Sequence, residues 1–362
     1  MKAVFFSDLH ATNKSSKFKS DSNGVSDLLK AQLDFVEFMV EYADEQDASV
    51  LGFLGDLTDA SVLDPITLDH VTKMLQIIVN GFLNKNPARR CILIEGNHCI
   101  QDAKNRYTVL GAFNNILSDQ FHVFTQAGSV TIEDVCFNVV PYMGDFAACA
   151  KAVDDAVADV HAAHNCLLFH FPLIGAHMDM GIVSKGGVNL DGVNLEKFDS
   201  IFGGDFHKHQ KLKGHKCFYY VGAPFAFTMG ENNHRRLMDV DFLTDDDGGV
   251  STTKLVMNPF RYQMAQISYA DFSKDGGESI AGDRVIVKIT DVPVDKLIEV
   301  ESASEKFYKL YVVMESKAIV VSDSSFQARN RNLSPKELII ELLCEHLEQT
   351  KLQRCINLIN DI

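Results

Sequence analysis

Short apolar runs alternate with longer amphipathic stretches through the first part of the chain. Six runs rich in Val, Ile, Leu and Phe predict buried strands at residues 2–6, 50–54, 91–95, 136–140, 166–170 and 199–203. Apolar side chains at three- and four-residue steps predict helices over 27–45 and 65–84, the second with Pro65 in its first turn. Residues 106–118 and 145–163 also fit helices. This alternation favours an α/β fold on a mainly parallel or mixed sheet.

The pattern changes near residue 244, where an acidic stretch followed by two glycines predicts a turn between two strands. Strand-like segments beyond Pro259 predict a small α+β domain. A polar linker then leads to Ser334, Pro335 and Glu337, which fit the N-cap, first-turn proline and capping-box glutamate of a final amphipathic helix. We therefore predict three regions, residues 1–259, 260–330 and 331–362.

Polar side chains suited to metal binding occur at or just after the ends of five predicted strands. The segments are Asp8-Leu9-His10, Gly55-Asp56-Leu57-Thr58-Asp59, Gly96-Asn97-His98, His170 and Gly204-Asp205-Phe206-His207. In α/β sheets, sites form in the crevice beyond the carboxyl ends of the strands. Side chains two residues apart on an extended strand end share one face, so one strand can present two ligands. We expect the five segments to converge at one edge.

A mixed set of carboxylates, imidazoles and an amide indicates divalent metal ions. Such donors suit Mn²⁺, Fe or Zn²⁺ better than Ca²⁺, which prefers oxygen alone. Two ions about 3.5–4 Å apart can activate water, neutralise phosphoryl oxygens and stabilise the leaving oxygen. The pattern therefore favours a two-metal hydrolase of phosphoesters.

In order and chemistry, the segments resemble the calcineurin-like metallophosphoesterase superfamily, whose signature runs DxH, GDxxD, GNH(D/E), H and GHxH. The resemblance covers residues 1–230 and implies a four-layer β-sandwich flanked by helices. Within the superfamily the chain is most similar to the SbcD-type DNA-repair nucleases. The first metal-binding strand begins the chain, and residues 220–231, which contain Gly222-Ala223-Pro224 and end in Gly230-Glu231, resemble a stretch of that branch. A small α+β capping domain and a C-terminal helix would follow.

The resemblance implies a role for each residue of the signature. One ion would be held by Asp8, His10, Asp56 and His207. The other would be held by Asp56, Asn97, His170 and Asp205, with Asp56 as the bridge. His98 would face the scissile phosphate and stabilise charge or protonate the leaving oxygen, and Asp59 would lie beside the site.

Two positions depart from the superfamily pattern. Asp205 replaces the first histidine of GHxH, and its charge would favour the harder ions Mn²⁺ or Mg²⁺. A rival alignment takes His207 and His209 as the histidine pair. Cys99 replaces a carboxylate that would orient the preceding histidine, so we expect a looser His98 and slower catalysis.

The net charge of −15 predicts solubility and argues against wide, nonspecific binding to nucleic acid. Lysines after the last metal segment form the most basic region, and we expect Lys208, Lys211 and His177 to contact the substrate. The eight cysteines contain no CxxC pair, and the apolar N-terminal run is too short for a signal peptide. No apolar stretch has the length of a membrane helix. We therefore expect a cytoplasmic protein.

The expected function is cleavage of DNA ends in repair or recombination, as an exonuclease and a single-strand endonuclease, with two Mn²⁺ ions, or Mg²⁺ in their place. The resemblance also implies a homodimer and an SbcC-type coiled-coil ATPase bound by the C-terminal region. Two alternatives stay open. One is a phosphoesterase acting on nucleotides or proteins, which the acidity favours. The other is a weakly active, metal-containing scaffold subunit, which Cys99 and Asp205 favour.

Overall fold

The computed structural model describes residues 1–14, 17–102, 107–114, 118–178, 181–229, 231, 235–242 and 251–314. The chain divides into two compact units, Met1–Arg261 and Tyr262–Ile362. The predicted acidic turn, the linker and the C-terminal helix lie outside the described residues.

The first unit is built from fourteen strands and four helices in its described residues. The strands are β1 (Lys2–Phe6), β2 (Val50–Phe53), β3 (Arg90–Ile94), β4 (Ile100–Asp102), β5 (Tyr107–Thr108), β6 (Phe121–Phe124), β7 (Gly128–Ile132), β8 (Val135–Val140), β9 (His164–His170), β10 (Ser200–Gly204), β11 (Gln210–Lys211), β12 (Phe218–Tyr220), β13 (Arg236–Phe242) and β14 (Ser251–Met257). The helices are α1 (Asp27–Glu45), α2 (Pro65–Gly81), α3 (Val109–Asn114) and α4 (Phe146–Asp155).

Two six-stranded mixed sheets organise this unit. The first has the order β14-β13-β1-β2-β3-β6, in which β1, β2, β3 and β6 are parallel. The second has the order β11-β12-β10-β9-β8-β7, in which β12, β10, β9 and β8 are parallel. Strands β4 and β5 form a separate two-stranded ribbon. The predicted α/β class with mixed sheets is therefore confirmed.

The two sheets pack face to face, and the alternation of side chains along β1 shows how. Phe5 points into the space between the sheets, where its ring lies 6.5 Å from that of Phe137 and 5.4 Å from that of Phe202. Phe6 points outward, and its ring lies 5.5 Å from that of Phe35 on α1. On the outer face of the second sheet, Val153 of α4 joins an apolar cluster. The layer order is helix, sheet, sheet, helix.

The helix boundaries test the sequence prediction directly. Helix α1 spans the predicted residues, and the Ser26 side chain caps it by accepting a hydrogen bond from the Leu29 amide. Helix α4 is shorter than the predicted 145–163. Ala156 leaves the helix with φ −62° and ψ 135°, and the Asn165 side chain then accepts from the Asp159 amide, which fixes a turn. The helix predicted over 106–118 is represented in the described residues by α3 alone, which directly follows β5.

The described part of the second unit is a three-stranded parallel sheet with two short helices. The elements are β15 (Gln263–Ser268), α5 (Tyr269–Phe272), β16 (Gly282–Val292), α6 (Leu297–Ser302) and β17 (Phe307–Met314). The strand order is β15-β16-β17. Phe272, Leu297 and Val300 of the helices share an apolar cluster with Val287 and Ile289 of the central strand. The capping role predicted for this region stays a prediction.

The six cysteines in the described ranges are all free and buried, as the sequence predicts. Among the described residues, no helix is both long enough and apolar enough to cross a membrane.

Candidate metal centre

The five predicted segments meet at one edge of the sandwich, beyond the carboxyl ends of strands from both sheets. Side chains from these segments form three overlapping groups whose ligand atoms lie within 4.8 Å of one another. The groups are Asp8, His10 and His207; His10, Asp56 and His98; and Asp8, Asp56 and His170. The first sheet supplies Asp8, His10 and Asp56, and the second supplies His170 and His207.

The first group centres on two imidazoles. Nε2 of His10 lies 3.1 Å from Nε2 of His207 and 3.9 Å from Oδ1 of Asp8. Two nitrogens at this separation suit neighbouring ligands of one ion, because metal–nitrogen bonds are about 2.0–2.1 Å long for Zn²⁺. The ring of Phe227 lies edge-on to both imidazoles, with centroid distances of 5.2 and 5.5 Å, and walls this side of the centre.

The group of Asp8, Asp56 and His170 centres on the His170 imidazole. Its Nε2 lies 3.3 Å from Oδ2 of Asp56 and 3.2 Å from Oδ1 of Asn97. Its Nδ1 lies 2.6 Å from the carbonyl oxygen of Leu54, to which it donates. A donating Nδ1 leaves Nε2 free to bind a metal, so the strand-end carbonyl fixes the useful tautomer.

Asp56 lies between His170 and His10, which is the position that the predicted bridging role requires. Its Oδ2 is close to His170 and lies 4.0 Å from Nε2 of His10. Its Oδ1 accepts a hydrogen bond of 2.9 Å from the backbone amide of His98. The carboxylate is therefore held by the next metal segment while it faces both histidines.

The backbone is strained at the ligand positions themselves. Asp8, His10, Asp56 and Asp205 have φ values of 55°, 47°, 50° and 95°, in the left-handed region that residues with a Cβ seldom adopt. Such strain collects at functional sites, where surrounding structure holds it in place. Gly55 has a φ of +100°, and a Cβ there would overlap the His170 ring. The glycine before the aspartate is thus required for close approach of the two sheets.

His98 lies at the exposed rim of the centre. Its side chain is 42% exposed, whereas those of His10 and Asp56 are buried. Its Nδ1 donates to the backbone carbonyl of Asp59 at 3.0 Å and lies 3.9 Å from the Asp59 carboxylate. Cys99 is fully buried, 3.9 Å from the Thr58 hydroxyl. Asp59 therefore supplies the orienting contact that the cysteine cannot.

The structure distinguishes the two alignments of the last metal segment. His207 joins the Asp8 and His10 group, whereas the His209 ring stacks on Tyr219 at 5.9 Å, with its Nδ1 3.3 Å from the Val221 carbonyl. Asp205 donates its backbone amide to both carboxylate oxygens of Asp8 at 3.2 Å. The Asp205 carboxyl belongs to none of the three groups, so its predicted role as a ligand rests on proximity alone.

The charged groups of this site shift one another's pKa values. Burial would raise the pKa of Asp56, but the neighbouring charge of His170 and their hydrogen bond lower it below its ordinary value. The same pair raises the pKa of His170 against the effect of burial. Burial, with the nearby charges of Asp8 and Asp56, raises the pKa of Asp205 to about 6. Closely packed carboxylates and imidazoles of this kind fit a pair of divalent cations.

Sequence reasoning missed the residues that surround His207. Glu231 and Arg235 are buried beside it, and Phe227 contacts its ring. The Gly-Glu ending of the 220–231 stretch was the available signal, since Glu231 lies within the segment that resembles the SbcD-type branch.

The three predicted substrate contacts lie near one another, joined by Gln210. The Gln210 side chain accepts from the His177 amide at 2.8 Å and donates to the carbonyls of His177 and Lys208 at 2.7 and 3.3 Å. His177 and Lys211 line one open groove of about 650 Å³. Their contact with a substrate stays a prediction.

The fold and the site together define a metal-dependent hydrolase of the α/β type. The family model for calcineurin-like phosphoesterases matches residues 1–209, and the chain belongs to that family. It is a metal-dependent phosphoesterase, and its histidine and aspartate side chains form overlapping groups that could hold metal ions. No curated protein matches the sequence.

Several solved structures are similar to this chain at low sequence identity. A dimetal phosphatase from Danio rerio has 8% identity and a TM-score of 0.40, over 70% of this chain and 98% of that one. A purple acid phosphatase from yellow lupin (Lupinus luteus) has 12% identity and a TM-score of 0.39, over 70% of this chain and 53% of that one. A Thermus thermophilus protein has 12% identity and a TM-score of 0.38, over 71% and 98%.

Proposed function

We propose that this phosphoesterase is a phosphodiesterase that cleaves DNA ends, as an exonuclease and a single-strand endonuclease. The observation that carries the proposal is the position of residues 220–231, the stretch that resembles the SbcD-type nucleases. Phe227 and Glu231 of this stretch contact His207, and Phe227 also contacts His10. A stretch typical of one branch, built into the metal centre, supports the chemistry of that branch.

Bound divalent ions would neutralise the phosphoryl oxygens and lower the pKa of water. Mn²⁺ is the proposed ion and Mg²⁺ the second choice, because Asp205 stands where the superfamily signature has a histidine and harder ions prefer carboxylates. The protein's own contribution to the reaction is His98. Its Nδ1 donates to the Asp59 carbonyl, so the imidazolium form carries its second proton on Nε2 and would pass that proton to the leaving oxygen, becoming neutral imidazole.

A polymeric, anionic substrate must overcome the net charge of −15. Lys208 directly follows the ligand His207, and Gln210 ties its backbone to that of His177. Lys211 lies in the adjoining groove with His177. These residues would contact the phosphate backbone, which positions DNA without reading its sequence. Cations at the metal centre add positive charge at the same edge.

The test is an assay of the purified protein with Mn²⁺ against three substrates: duplex DNA with free ends, a chromogenic phosphodiester and a chromogenic monoester. We expect cleavage of DNA and the diester and little of the monoester. Lys208→Ala and Lys211→Ala should each reduce the salt dependence of DNA binding by a slope of about 1 and leave diester hydrolysis unchanged. Lys151→Ala, at an exposed ion pair on α4, is the matched control. Faster turnover of the monoester than of DNA would refute the proposal.

The overall acidity favours a second candidate, a phosphoesterase acting on nucleotides or phosphoproteins. The three-substrate assay separates it from a nuclease, because such an enzyme would leave duplex ends intact. A scaffold role with little catalysis is supported less well, since Asp59 holds His98 in the absence of a carboxylate at Cys99.

We further propose an SbcC-type ATPase partner, docked by the amphipathic helix that the sequence predicts at the C-terminus, and a homodimer in solution. A chain ending at Leu333 should fail to retain the ATPase in a pull-down while keeping diesterase activity. Retention equal to that of the full chain would exclude the helix as the docking element. Light scattering coupled to size-exclusion chromatography measures the dimer directly.

A further inference from the structure

Glu231 contacts His207 through the ring nitrogen opposite the one that faces His10. Oε1 of Glu231 lies 3.4 Å from Nδ1 of His207, while Nε2 of His207 lies 3.1 Å from Nε2 of His10. The Glu231 carboxylate is buried, with 6% of its side chain exposed. A carboxylate in this position accepts the Nδ1 proton and leaves the lone pair of Nε2 for a metal.

The remaining contacts of Glu231 fix its orientation. The Thr228 hydroxyl donates to Oε1 at 3.1 Å, and the Phe227 amide donates to Oε2 at 3.2 Å. Arg235, 1% exposed, donates to Oε2 at 2.7 Å and to the backbone carbonyl of His207 at 2.7 Å. One buried ion pair therefore holds both the ring and the main chain of His207.

The imidazole of His170, on the other side of the centre, is oriented by a different group. His170 donates its Nδ1 proton to the Leu54 carbonyl, at the end of β2. The two halves of the centre thus have separate supports, one a buried carboxylate and the other a backbone carbonyl. A change at Glu231 should reach one half and spare the other.

We propose that Glu231 is the positioning residue for His207, and that it controls occupancy of the metal position formed by Asp8, His10 and His207 but not of the position at Asp56 and His170. Arg235 fixes Glu231 in this role. The inference concerns the metal centre and is independent of whether DNA is the substrate.

Glu231→Gln tests the proposal because hydrogen-bond chemistry dictates how the amide must lie. Arg235 and the Phe227 amide are donors that cannot accept, so the glutamine oxygen must take the Oε2 position. The amide NH₂ then faces His207 and forces its Nδ1 to accept, which moves the imidazole proton to Nε2. ¹⁵N spectra of metal-free, histidine-labelled protein should show this change of tautomer for His207 and no change for His170.

Mn²⁺ titration followed by electron paramagnetic resonance gives the second readout. In Glu231→Gln, one of two binding events should weaken about 10- to 100-fold, and the other should keep the wild-type affinity. Glu196→Gln, which makes the same change on an exposed loop, should leave both events unchanged. Equal weakening of both events, or of neither, would overturn the proposal, as would an unchanged His207 tautomer.

A second variant covers the case in which Glu231→Gln removes the negative charge beside buried Arg235 and the protein fails to fold. Thr228→Val keeps the buried ion pair and removes only the hydroxyl that fixes Oε1. It should weaken the same Mn²⁺ binding event about three- to tenfold, because losing one hydrogen bond leaves the Glu231 carboxylate less firmly oriented. If Thr228→Val binds both ions as the wild type does, the assignment is wrong.

Discussion

Nε2 of His170 lies 3.3 Å from Oδ2 of Asp56, although Asp56 follows β2 of the first sheet and His170 is the last residue of β9 in the second. The metal centre is therefore an intersheet structure, and each sheet holds only part of the ligand set. Packing of the sandwich core brings the two parts together, and the close approach of Gly55 to the His170 ring shows how little space remains between them.

This pair determines how metal binding depends on pH. Burial would lower the pKa of His170, but Asp56 raises it, so the imidazole of the metal-free protein stays protonated below that raised value. Between the ordinary carboxyl pKa and the ordinary histidine pKa, the pair stabilises the metal-free fold fully. This contribution is lost as pH rises through the raised pKa of His170, or falls through the lowered pKa of Asp56. A histidine must be neutral to bind a metal, so binding releases a proton from His170 and weakens as pH falls. Calorimetric titration with Mn²⁺ in two buffers of different ionisation enthalpy should show that release; identical heats in both would contradict it.

Removing a ligand of the first group should abolish turnover without unfolding the protein. His10→Ala deletes the imidazole that faces both His207 and Asp56. We expect no measurable diester hydrolysis, loss of at least one Mn²⁺ per chain, and a wild-type circular dichroism spectrum. Wild-type activity in this variant would show that the ligand assignment is wrong.

His98 should behave differently, because its predicted role is proton transfer and not metal binding. His98→Ala should reduce kcat about 10²- to 10⁴-fold, the usual contribution of a general acid. The Mn²⁺ content should equal that of the wild type, because the His98 side chain is assigned to proton transfer and is held by the Asp59 carbonyl, although its ring lies 4.7 Å from that of His10. A parallel loss of metal would contradict the role given to this side chain.

The glycine before Asp56 should be required for stability as well as for the site. Gly55→Ala places a methyl group into the His170 ring at a φ of +100°. We expect the free energy of unfolding to fall by about 2–4 kcal/mol, from overpacking and backbone strain together. Gly192 has a similar φ of +84°, but the space around it is open. Gly192→Ala should therefore lower the free energy of unfolding by only about 1 kcal/mol. Urea unfolding of the metal-free variants measures both, and equal losses would mean that the His170 contact has no effect.

Local patterns predicted the helices and strands best where local forces decide them. Helix α1 has the predicted bounds because its apolar spacing and its Ser26 cap agree. The prediction for α4 extended too far, because an alanine-rich stretch favours helix while the Asp159–Asn165 hydrogen bond, made across a turn, ends it. Helix propensity is a property of the local sequence, and it takes no account of hydrogen bonds that form in the folded protein.

The sequence by itself determined the family, the order of the metal-binding segments and their location at strand ends, because ligand chemistry and strand periodicity are local properties. Only the tertiary structure decided that His207 and not His209 enters the centre, that Asp59 supports His98 in place of Cys99, and that Glu231 lies against His207. Each of these depends on distances between segments that are remote along the chain. The packing of the two sheets sets these distances, and the spacing of residues along the sequence does not predict them.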